Sequence, residues 1–127
     1  MTNKNLTISG SWEDKHNAIE VNLPLIIFEE DNAHVVYCPA LDVSGYGLTE
    51  TEATVSFQVA LSEFFRYTTH KKTFETELKR LGWQLKNRRK PMIPPTMAQS
   101  LSENENFSNI FNNFPFRKIN EAISLPA

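Results

Sequence analysis

A chain of 127 residues is enough for one ordinary domain and too short for two with separate cores. Hydrophobic residues at 40% and charged residues at 22% exclude wholesale disorder. A formal charge of −2 provides no global field to draw the protein to nucleic acid or anionic lipid. Cys38 is the only cysteine, which rules out an intrachain disulfide and fits a reducing compartment. The N-terminal Met1 to Thr7 has no apolar core of signal-peptide length. The longest apolar run, Leu25 to Phe28, falls far below the ~20 residues of a membrane span. The expected setting is cytoplasmic, with no membrane partner. Nine phenylalanines are the one compositional excess.

Residues 1–18 are polar and without periodicity, apart from Trp12 and the Leu6–Ile8 alternation, and read as a flexible arm, with an added edge strand as the alternative. Glu20 to Glu30 has the Leu, Ile and Phe content of a strand, with Asn22, Pro24, Ile26 and Phe28 on one face. Val21, Leu23, Leu25 and Ile27 form the other face. Asp31-Asn32-Ala33 predicts a turn, since Asn and Asp tolerate left-handed backbone. His34 to Cys38 returns as the partner strand and stops at Pro39, which has no N–H for a ladder. Ser44 to Leu48 is a third strand, where Gly45 and Gly47 permit a bulge or a close backbone approach.

Thr49 and Glu52 have capping-box spacing. Beyond them Ala53, Phe57, Ala60, Leu61, Phe64 and Phe65 repeat at helical intervals, predicting a helix from Glu50 to about Thr69 with an aromatic face against the sheet. A second helix follows Thr73, from Phe74 to Leu81, and Gly82 ends it in left-handed backbone. Trp83 and Leu85 alternate with polar neighbours as a fourth strand would. After the basic turn Asn87 to Lys90, Pro91, Pro94 and Pro95 break regular structure. Residues 96–127 form a tail with a weak helix around Met97 to Leu101 and an alternating strand from Arg117 to Leu125. The expected fold class is therefore α+β: a small antiparallel sheet with one long helix packed on it, an extra short helix and a C-terminal strand. The expected divisions are an arm (1–18), an α/β domain (19–95) and the tail (96–127).

Catalytic chemistry finds few reagents. His34 and Cys38 share a strand face but lie more than about 10 Å apart, too far to share a small ion or act as a base–nucleophile pair. Ser44 and Asp42 sit near a turn without a Gly-x-Ser-x-Gly elbow. His70 suits the carbonyl end of its helix. Metal-dependent phosphodiester cleavage needs converging carboxylates. Glu29, Glu30 and Asp31 bunch at a hairpin, and Glu50 and Glu52 suit a helix start. The expectation is no catalytic residue, no metal and no cofactor. Arg88, Arg89 and Lys90 form a small basic patch and are the candidate nucleic-acid contacts, though no helix-turn-helix or zinc-finger pattern accompanies them. Phe107, Phe111, Phe114 and Phe116 stand in a polar, Asn-rich segment. They are either anchors for a partner protein or cover for the protein's own sheet.

The stretch from Tyr37 to Ala53 resembles the HicB-like antitoxin family. Pro39, Leu41, Gly45, Gly47, Thr49, Glu52 and Ala53 occupy the places of that family's Pro-x-Leu corner, glycine strand and Gly-x-Thr-x-x-Glu-Ala-like helix start. The resemblance covers roughly residues 20–70. It implies a truncated ribonuclease-H-like fold of three strands and a helix without nuclease activity. The implied role is to neutralise a HicA-type mRNA-cleaving toxin by direct binding, within a homo-oligomer of two or more copies. The helix-turn-helix or ribbon-helix-helix domain that many members use on DNA has no match in residues 84–127. The alternative is an orphan or divergent ribonuclease-H-like protein that binds or cleaves nucleic acid.

Overall fold

The computed structural model describes residues 18–85 and 92–126. The chain begins with strand β1 (Ala18–Glu30), which turns back through Asp31 and Asn32 into β2 (Ala33–Cys38). Both turn residues have positive φ, 52° and 67°, the geometry that lets a two-residue loop match the twist of its strands. β2 stops one residue before Pro39, and the Cys38 carbonyl accepts the amides of Leu41 and Asp42 to close the corner. β3 (Val43–Gly47) then pairs antiparallel with β2.

Helix α1 (Glu50–His70) starts almost at once and buries Ala53, Phe57, Leu61 and Phe65 against the sheet. The Thr49 hydroxyl accepts the Glu52 amide, as its spacing predicts. The Glu52 carboxylate reaches one residue further back than a capping box requires and accepts the Leu48 amide at 3.0 Å. Gly45 and Gly47 do not form a bulge, because β2 and β3 stay in continuous register from His34↔Gly47 to Cys38↔Val43. They allow close approach: a Cβ on Gly45 would stand 2.1 Å from the Phe57 amide nitrogen, and one on Gly47 2.5 Å from that of Ala53.

Helix α2 (Phe74–Arg80) follows, and Gly82 with φ of 99° ends that segment as expected. Thr73 does not cap it; its hydroxyl turns towards the Thr68 carbonyl instead. The strand expected at Trp83 and Leu85 is the two-residue β4 (Gln84–Leu85), paired with β5 (Met92–Ile93) in a separate small ladder. Trp83 is buried, and its indole N–H donates to the Ala40 carbonyl at 2.8 Å, fastening this segment to the β2–β3 corner.

Residues 96–126, expected as a tail, belong to the same domain. In place of one weak helix there are two, α3 (Met97–Glu103) and α4 (Glu105–Asn113), which meet at Asn104. The last strand, β6 (Phe116–Pro126), pairs antiparallel with β1 from Ala18↔Pro126 to Phe28↔Phe116. The main sheet therefore runs β3-β2-β1-β6, with β1 and β2 as its inner strands. Leu23, Leu25 and Ile27 join the core under α1 and α2, while Ile26 and Phe28 join a second core under α3 and α4. The fold is α+β, with a four-stranded antiparallel sheet covered on both faces.

The contact of α1 with β3 yields the first test. Gly45→Ala places a Cβ against backbone that has no rotamer to relieve it, so the loss should lie at or above the upper end of the roughly 1–3 kcal/mol of core overpacking. Urea denaturation measures it, and an unchanged midpoint would refute the close-packed geometry.

Candidate partner-binding surface

The sequence-derived site residues separate once the chain is folded. Phe107 lies under the sheet at 0% exposure, with its ring 6.3 Å from that of Tyr37. Phe114 stacks at 5.1 Å on Phe28, and Phe116 at 5.5 Å on Phe111. Of the two roles open to the C-terminal aromatics, cover for their own sheet is the one these contacts describe. Phe111 alone keeps a large exposed surface, 43%. The correction has a simple cause: Ile26, Phe28, Val35 and Tyr37 are apolar on the face away from α1 and need cover. Arg88, Arg89 and Lys90 lie outside the described residues.

The groups weighed for catalysis are engaged locally. Glu50 pairs with Arg117 at 2.6 Å, and His34 faces Glu29 across the hairpin at 3.9 Å. These two pairs flank a shallow cleft of about 390 Å³ at the end of β1 and β2. Asp42, held at φ of 56°, accepts the Tyr37 hydroxyl at 2.6 Å and the Asn106 side-chain amide at 3.3 Å. Asn104 donates to the same tyrosine oxygen at 2.9 Å while its own oxygen caps α4 through the Phe107 amide. That network ties α3 and α4 to the β2–β3 corner. Among the described residues no three His, Cys, Asp or Glu side chains cluster so as to hold a metal ion. Among them, too, no helix is long and apolar enough to cross a membrane.

Exposed large apolar side chains occur elsewhere, on β3, at the β3–α1 connection and on α1. Leu48 is 78% exposed, and Tyr46, Val55, Val59 and Tyr67 are each more than half exposed. Val55 and Val59 are four residues apart and so stand one above the other, outside the buried stripe of α1. Ser56, beside Val55, accepts the Tyr46 amide at 3.1 Å and so joins this flank of the helix to the outer edge of β3. These groups do not share one face: Tyr46 alternates with Gly45 and Gly47 and stands on the α3–α4 side with Ser44 and Asn106, whereas Val55 and Val59 stand on the side of α1 away from its buried stripe. Leu48, at the β3–α1 connection, is the most exposed of them, and groups of this kind are candidates for cover by a protein partner. Leu48, Val55 and Val59 were missed as site residues in the sequence. Their signal is faint: two valines at i, i+4 on the side of α1 opposite its aromatic stripe.

Comparison with protein-family models, with curated proteins and with solved structures found no match.

Two titrations and one pair of substitutions follow from this geometry. Complete burial pushes the Cys38 thiol from its ordinary 9.0 up to about 12. Burial also raises the Tyr37 hydroxyl, and the bond to the Asp42 carboxylate adds to that rise. Both groups keep their protons in the folded chain at pH values where the unfolded chain has lost them. Their contribution is complete below about pH 9 and declines as pH rises towards the folded values. Thermal midpoints should fall from about pH 8 to about pH 11, and native Cys38 should resist alkylation; a flat profile would contradict the burial. Phe107→Ala should cost about 3–5 kcal/mol as a core truncation, and Phe111→Ala less than about 1 kcal/mol. Equal losses in guanidinium denaturation would count against this placement.

Proposed function

We propose that this protein acts by stoichiometric binding, as a HicB-like antitoxin that neutralises a HicA-type mRNA-cleaving toxin by covering it. The observation that carries the reading is the exposure of the apolar side chains Leu48, Val55 and Val59 on the part of the chain that resembles the family. Further support comes from the order of elements: three antiparallel strands arranged β3-β2-β1, followed directly by the long helix across them. The carboxylates that a nuclease of related fold would gather are dispersed, with Asp42 bonded to Tyr37 and Glu50 to Arg117.

Binding of this kind draws most of its energy from a few desolvated side chains at the centre of the contact. Leu48 and Val59 are the residues best placed to supply it.

The test is co-expression with the adjacent reading frame. That frame should encode a small protein whose growth inhibition this chain relieves, and the two should copurify. Leu48→Asp combined with Val59→Asp should abolish copurification and relief while leaving the thermal midpoint within a few degrees, since both positions are exposed. A neighbouring product without toxicity, or a complex indifferent to the double substitution, would remove this reading.

A further inference from the structure

The two edges of the main sheet are not equivalent. On β3 the Tyr46 amide is already taken by Ser56, and α1 lies directly against the strand. At the other edge β6 is bonded to β1 along its whole length, and no strand pairs with its outer side among the described residues. In an antiparallel ladder alternate amides and carbonyls point away from the partner, so β6 presents a row of unused donors and acceptors. Its first half, from Phe116 to Ala122, is the accessible half, whereas Ile123 to Pro126 are buried. Among the described elements α1 lies on β2 and β3 and makes little contact with β6.

We infer that the exposed half of β6 pairs antiparallel with the same segment of a second copy, about a two-fold axis at Ile119. The strand's own charges select this register. With period-two alternation, Arg117, Ile119 and Glu121 share one face. A two-fold centred on Ile119 sets Arg117 opposite the Glu121 of the second copy, and does so twice, with Lys118 opposite Asn120. Centring on Lys118 or on Glu121 would oppose like charges, and centring on Asn120 would pair none. Directly opposed residues of unlike charge stabilise a ladder, and like charges destabilise it.

The product is one continuous sheet joining two four-stranded sheets, with β3 at each far end. Arg117 also bonds Glu50 within its own chain, and its half-exposed guanidinium has donors for both carboxylates. The contact is small, so the dimer is weak and concentration-dependent. This inference is independent of the proposed toxin binding.

Sedimentation velocity of the full chain over a wide concentration range is the test. The unaltered protein should show a reversible monomer–dimer equilibrium. Arg117→Glu and Glu121→Arg should each weaken it by tenfold or more, and the double exchange should restore it. Glu50→Gln, which breaks only the intrachain pair, should leave association intact. A chain monomeric at its highest soluble concentration, or a double exchange no stronger than the singles, would overturn the proposal. Should a variant fail to fold, hydrogen exchange on the unaltered chain decides: amides within 117–121 must gain protection with concentration, and their failure to do so would equally overturn it.

Discussion

Strand β1 is apolar on both faces, and a strand of that kind is stable only when paired on both edges and covered above and below. Leu23, Leu25 and Ile27 point to one side and Ile26 and Phe28 to the other, all nearly or fully removed from solvent. That requirement organises the rest of the chain. β2 supplies one edge through a two-residue turn, and β6 supplies the other from the far end of the sequence. The helix that follows β3 covers one face, and the α3–α4 pair covers the second. A chain that ended near Pro95 would leave Ile26, Phe28, Val35 and Tyr37 facing water. The C-terminal quarter is thus integral to the domain's stability.

Two local devices make the arrangement specific. Glycine at positions 45 and 47 removes the side chains that would hold α1 away from β3, so the helix rests on strand backbone. This low placement brings the Ser56 hydroxyl to the Tyr46 amide. On the opposite face, a buried polar group does comparable work. The Tyr37 hydroxyl, between Asp42 and Asn104, fixes the α3–α4 junction over the β2–β3 corner. Hydrogen bonds of this sort add modest net stability but exclude other placements, because leaving them unmade in a desolvated site is costly.

The surface left over is divided by character. Exposed large apolar groups lie on β3, at the β3–α1 connection and on α1, whereas the exposed half of β6 carries Arg117, Lys118 and Glu121. Ionisable groups nearby are engaged locally: Glu52 bonds the Leu48 amide at the helix start, His34 faces Glu29 across the hairpin, and Asp42 ties Tyr37 to Asn106.

Local chemistry wrote much of this fold into the sequence. The Asp31-Asn32 turn, the stop at Pro39, the Thr49 cap, the aromatic stripe of α1, the left-handed Gly82 and the alternation of β6 each depend on neighbouring residues alone. The two-faced pattern of β1 was legible as well. The sequence did not say which distant segment answers it, because cover depends on volume and direction and not on spacing. Phe107 among asparagines looks like a free anchor until Tyr37 is placed beneath it. Val55 and Val59 stand opposite the aromatic stripe of α1, and Leu48 becomes conspicuous only once the β3–α1 connection is seen to leave it in solvent. Residue pattern settled the elements and the faces they must bury; only tertiary packing decided which apolar groups were left over for a partner.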